Sequence, residues 1–163
     1  MAWELLATGT GSGTSFNSGT FTAKKYLYFE ILSDWSSGDG GTAVQFGNSS
    51  LDTGGNYAYR YSFNGGADAT QVNKNHIYLD GDASNPRAPT LSSAYIMNVA
   101  DEEKLLISNV MDTNSAGAGS GVNRSQCVGK WDNNSEQIDI IGFVAEAGGT
   151  YSSDTQYSIF GTD

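Results

Sequence analysis

Residues Asn56 to Gln71 read NYAYRYSFNGGADATQ, and this stretch decides the fold. Tyr57, Tyr59 and Tyr61 fall at every second position, so an extended chain puts all three rings on one face and Ala58, Arg60 and Ser62 on the other. The Asn64-Gly65-Gly66 that follows supplies residues tolerant of positive φ, as a tight reversal after a strand requires. The stretch predicts a strand running into a turn.

The same habit recurs on both sides of it. Lys24 to Leu32 alternates Leu27, Phe29 and Ile31 against Tyr26, Tyr28, Glu30 and Leu32, giving one apolar face for a core and one mixed face for solvent or a subunit contact. Thr42 to Phe46, Asn75 to Asp80 and Gln156 to Gly161 are further short strands. Thr90 to Val99 and Lys104 to Met111 form a pair joined at Ala100 to Glu103, with a helix over Asp101 to Ile107 as the competing reading. Gln137 to Ala145 carries apolar residues on both faces and predicts burial on both sides, while Val122 to Trp131 predicts an edge or interface strand. Trp3 to Leu6 reads as a short strand and Thr8 to Thr14 as a loop, since Gly9, Gly11 and Gly13 lack the lysine and following helix of a phosphate loop. Asp34 to Gly41, Asn48 to Gly55, Gly81 to Pro89 and Thr113 to Gly121 read as connections.

About ten short strands, with no amphipathic helix and no internal repeat, predict an all-β chain folded as an antiparallel β-sandwich. The options are an immunoglobulin-like sandwich and a jelly roll. The strand count and the lack of a Cys…Trp…Cys framework favour the jelly roll, as a single domain over residues 1–163.

Hydrophobic residues at 38% and charged residues at 16% suit a packed core, and 21 glycines against 2 prolines suit many flexible turns. A formal charge of −10 argues against nucleic acid and anionic membranes as partners, and no apolar run approaches the roughly 20 residues of a membrane span. The opening MAWELLATGTGSG lacks the basic and apolar regions of a secretory signal, so no export step is expected. The single cysteine, Cys127, excludes an intramolecular disulfide.

Chemistry is sparse. His76 and Cys127 are the only histidine and cysteine, and neither sits in a nucleophile motif. Asp80-Gly81-Asp82-Ala83-Ser84 spaces oxygen ligands as calcium loops do, but Asn85 and Leu91 stand where an EF-hand needs glycine and glutamate, so an Asx-rich turn is expected. Glu30, Asp139 and Glu146 are nominal glycosidase carboxylates, although 18 acidic residues make some close pair inevitable. Trp35, Tyr57, Tyr59, Tyr61, Trp131 and Tyr151 could form a sugar-stacking platform or subunit contacts, with core packing as the plainer reading. No catalytic residue, metal site or cofactor is expected.

Five segments carry a resemblance along nearly the whole chain: Trp3-Glu4-Leu5-Leu6, Ala23-Lys24-Lys25-Tyr26-Leu27, Asn56 to Ser62 with Asn64-Gly65-Gly66, Val128-Gly129-Lys130-Trp131, and Phe160-Gly161-Thr162-Asp163. In this order the chain resembles short all-β structural proteins of tailed bacteriophages. The resemblance implies a jelly-roll virion component without enzymatic activity, assembled in the host cytoplasm. It further implies a homo-oligomer, with a trimer expected, and other virion proteins such as the major capsid protein or tail components as partners. An outer capsid decoration or cement protein is the first expectation, and a tail-fibre or baseplate module binding host cell-surface carbohydrate the second.

Overall fold

The computed structural model describes residues 2–38, 40–80, 89–113, 118–119 and 121–163. Its strands are β1 (Glu4–Gly13), β2 (Ser15–Asn17), β3 (Tyr26–Ser33), β4 (Trp35–Ser37), β5 (Gly41–Asn48), β6 (Ser50–Leu51) and β7 (Tyr57–Phe63). They continue as β8 (Ala69–Lys74), β9 (Ile77–Tyr78), β10 (Thr90–Met97), β11 (Lys104–Thr113), β12 (Val122–Trp131), β13 (Ile140–Glu146) and β14 (Thr150–Thr162). No helix among the described residues is long and apolar enough to cross a membrane.

All strand pairs are antiparallel and form two sheets. The nine-stranded sheet runs β1-β14-β3-β10-β11-β12-β7-β8 with β4 beside β14, and the five-stranded sheet runs β2-β13-β5-β6 with β9 beside β5. The pairings are nested: β1 with β14, β2 with β13, β3 with β10, β5 with β9. This is the double Greek key of a jelly roll, as the sequence predicts. The excursion between β5 and β9 contributes β7 and β8, and the one between β10 and β13 contributes β11 and β12. All four widen one sheet, which therefore extends well beyond the smaller sheet.

The alternating strands explain the core between the sheets. Leu27, Phe29 and Ile31 of β3 point inward and are wholly buried, as are Phe46, Ile77, Ile141 and Phe143 from the smaller sheet. Phe143 meets Phe29 edge-on at 5.6 Å and Tyr157 at 5.4 Å between ring centroids, while Phe46 lies 6.3 Å from Tyr57 and 6.4 Å from Trp131. Tyr57 and Tyr59 point into this core, and the turn after β7 has Asn64 at φ 49° and Gly65 at φ 75°, closed by the Gly66 amide donating to the Phe63 carbonyl at 2.8 Å.

Several local expectations change. Thr8 to Gly13 is not a loop but continues β1, paired with β14 through two register shifts. Backbone bonding needs no side chain there, and the bare glycines admit rings: a Cβ on Gly11 would fall 2.3 Å from Phe16, and one on Gly9 3.0 Å from the Tyr157 hydroxyl. β12 is not an edge strand, because β11 and β7 flank it. Within the expected connections, Trp35–Ser37 and Ser50–Leu51 form short strands. Asp101 to Ile107 is not helical, and β10 and β11 form the expected hairpin. The readings of Gly81 to Pro89 and Thr113 to Gly121 lie largely outside the described residues, as does the calcium reading beyond Asp80.

Candidate interaction surface

Among the described residues the large sheet is covered on one face only, so its other face presents the second set of alternating side chains. In register across six strands, Leu5 lies beside Phe160, Phe160 beside Tyr28, Tyr28 beside Tyr95, Tyr95 beside Ile107, and Ile107 beside Val128. Leu5 is 56% exposed, Tyr95 57%, Ile107 54% and Val128 51%, so this apolar row faces outward rather than into the core. A second row runs Tyr26, Met97, Leu105, and a third Leu32, Leu91, Met111.

Trp3 stands on this face. Its ring packs edge-on against Tyr28 at 6.4 Å and Tyr95 at 6.3 Å, and those two rings lie 4.8 Å apart. Beside it a groove of about 330 Å³ is lined by Trp3, Tyr26, Tyr95, Met97, Leu105 and Ile107. Beyond Leu105 a second groove, of about 420 Å³, lies against Ala58, Arg60, Val72, Val128 and Lys130.

Charge lies to either side of the two central strands, β10 and β11. The outward positions of the central strands are Leu91, Ser93, Tyr95 and Met97 on β10 and Leu105, Ile107, Asn109 and Met111 on β11, none of them charged at neutral pH. Glu30 marks one flank, on β3. Arg60, Arg124 and Lys130 mark the other, with Arg60 3.7 Å from Asp68 and Lys130 2.7 Å from Glu103. An apolar centre with a charged rim is the anatomy of a protein interface. Monomeric proteins seldom expose contiguous apolar patches beyond a few hundred Å².

The six aromatics singled out from the sequence lie elsewhere. Trp35, Tyr57, Tyr59, Trp131 and Tyr151 are all buried, at 5%, 1%, 8%, 2% and 1% exposure, and only Tyr61 is half-buried, beside Tyr78. For the five buried residues this corrects the expectation of a platform or contact surface in favour of the plainer reading of core packing: their rings are occupied by the interior. Trp35 stacks on Tyr151 at 4.6 Å, and Tyr57 on Trp131 at 6.5 Å, as separate pairs. Their polar tips are satisfied inside the chain. The Trp131 Nε1–H donates to Asp52 Oδ2 at 2.8 Å, the Tyr151 hydroxyl to the Val144 carbonyl at 3.1 Å, and the Tyr57 hydroxyl accepts from the Phe46 amide at 2.9 Å.

On β3 this surface is the face expected to meet solvent or a subunit; its continuation over β10 and β11 was missed by sequence reasoning, although it had a signal. The β10 and β11 segments are rich in large apolar residues on both alternating sets, and only one set can reach a core covered on one side. Trp3 reads from the sequence as the start of a short strand from Trp3 to Leu6, whereas it precedes β1, which begins at Glu4.

Among the described residues no group of three or more His, Cys, Asp or Glu side chains is placed to hold a metal ion. His76 Nε2 lies 3.3 Å from Glu146 Oε1, and burial holds the imidazole below its ordinary pKa despite that carboxylate. Asp139 and Glu146 stand at opposite ends of the β13 segment, about 23 Å apart at strand rise, far beyond the roughly 5–9.5 Å of a glycosidase pair. Glu30 is on the outer face of the other sheet. Burial pushes the Cys127 thiol up to about 12. The native protein is therefore expected to resist a disulfide reagent at mildly alkaline pH and to react at one thiol per chain once denatured. Prompt labelling of the native chain would contradict that burial.

No protein-family model matches the sequence, and no curated protein is similar to it. Among solved structures, the chain is similar to a crystal structure of the Emp47p carbohydrate recognition domain at 13% identity and a TM-score of 0.27, over 99% of this chain and 89% of that one. A likeness at that level carries no inference about function.

Proposed function

We propose that this chain is a non-enzymatic structural protein of a tailed-phage virion, an outer capsid decoration or cement protein that works through subunit contacts. The observation that carries the reading is the outer face of the nine-stranded sheet, where three apolar rows lie open and the two central strands, β10 and β11, carry no charged outward side chain. Burying such a face between neighbouring subunits adds contact area throughout a symmetric shell, so modest individual contacts together resist internal pressure. The net charge of −10 suits a solvent-facing position and repels packaged DNA. The resemblance of the sequence to phage structural proteins points the same way.

A tail-fibre or baseplate module binding cell-surface carbohydrate has less support. Five of its six candidate aromatics are interior, and the groove beside Trp3 lacks the convergent amides and carboxylates that orient a sugar. Gold-labelled antibody on intact particles separates the two. Label over the head is expected, and label at the tail tip, or none on the particle, would overturn the decoration reading.

A further inference from the structure

We infer that the outer face of the nine-stranded sheet is occupied by a second copy of this chain, packed face to face about a two-fold axis parallel to the β10–β11 boundary. The inference rests on reading that face as an assembly surface. Such an axis lays the outer half containing β14 and β3 over the half containing β12 and β7 of the other copy, with β10 over β11.

Three features of the face match under this operation. Within the central row, Tyr95 comes over Ile107 of the second copy and Tyr28 over its Val128, so the exposed apolar side chains meet one another. The raised Trp3, seated on Tyr28 and Tyr95, comes toward the half that carries the groove between Leu105, Val128 and Arg60, a ridge entering a hollow. Polar groups meet as well. Glu30 comes over Gln126 of the second copy, level with it through Ser93 and Asn109, with Arg124 at the next outward position of β12, while Phe160 meets Arg60. Because the operation is two-fold, each contact occurs twice.

The area is adequate. Eight strands at a spacing of about 4.8 Å, with rows from Tyr26 to Leu32 at about 3.3 Å per residue, make a face about 34 Å by 20 Å, on the order of 700 Å². A standard interface takes about 800 Å² from each partner. The alignment of the two sheets is that of an ordinary sandwich, with side chains interdigitating across about 10 Å. A trimer would need a different surface, since a two-fold contact closes at two copies.

Sedimentation equilibrium on the purified chain tests this without any virion, so its failure is separable from failure of the decoration reading. A dimer is expected at micromolar concentration, its dissociation constant raised roughly 100-fold by Ile107→Glu and at least about tenfold by Trp3→Ala. Ile107 points outward and Trp3 precedes β1, so both variants should keep the wild-type circular dichroism and melting cooperativity. A monomer at all concentrations, a trimer, or a dimer that both folded variants leave intact would overturn the inference.

Discussion

Replacing Asn98 with alanine is expected to lower the unfolding free energy by about 3 kcal/mol, a large loss for one side chain. Asn98 is wholly buried just after β10, in the large sheet. Its Oδ1 accepts from the Ile138 amide at 2.7 Å, and its Nδ2 donates to the carbonyls of Lys24 at 2.9 Å and Ile138 at 3.0 Å. Its own amide donates to the Lys25 carbonyl at 2.7 Å, and its carbonyl accepts from Gln137 Nε2 at 2.7 Å. One residue thus ties the end of β10 to the entry of β3 and to the entry of β13 in the opposite sheet. Alanine strips the acceptor from a buried amide and the donor from two carbonyls, at a position wholly shielded from solvent. Urea denaturation should show a lower midpoint at unchanged m-value. Asn98→Asp keeps the acceptor for Ile138 but buries a charge and removes the donor, so it should destabilise as well and recover part of the loss in acid. A loss below about 1 kcal/mol for the alanine variant would show that the backbone contacts alone hold the two sheets in register.

Asn98 also marks the limit of what the sequence can disclose. Alternation placed Leu27, Phe29 and Ile31 in the core, and Asn64-Gly65 at a turn, because both depend on a few adjacent residues. The jelly-roll order was legible only as a strand count. Which strand pairs with which is set by contacts such as Asn98 to Ile138, 40 residues apart, or β1 to β14 across the chain. The aromatics were visible but their side of the sheet was not. Tyr57 and Tyr28 both sit in alternating strands, yet the first faces the smaller sheet and the second faces outward. Residue type alone cannot decide this, since large apolar side chains suit a core and an interface equally. What settles it is that β7, β8, β11 and β12 all widen one sheet while β6 alone adds to the other, leaving the wide sheet with an uncovered outer face among the described residues.

The interior placement of the aromatics makes the fold sensitive to alkali, the second large effect expected. Burial pushes Tyr59 and Cys127 up to about 12, from ordinary values of 10.0 and 9.0, and it raises Tyr57 and Tyr151 further still. Each group therefore holds its proton more tightly in the folded chain than in the unfolded one. Between about pH 9 and 12 the unfolded chain sheds protons that the folded chain keeps, so stability falls as pH rises. The slope approaches about 1.4 kcal/mol per pH unit for each group, or about 5 kcal/mol per unit with all four engaged. A domain stabilised by about 5–15 kcal/mol should then unfold cooperatively within about two to three pH units of the onset. Tyrosinate absorbance and far-ultraviolet circular dichroism, followed together, should show the buried phenols ionising in the same step that melts the sheets. Cys127→Ala should move the onset upward, because the thiol has the lowest unfolded pKa of the four, even as the lost sulfur costs some stability at neutral pH. Ionisation of all the tyrosines near pH 10 with the sheets intact would place Tyr57, Tyr59 and Tyr151 at the surface, restoring them as contact residues and removing the reason to assign assembly to the opposite face.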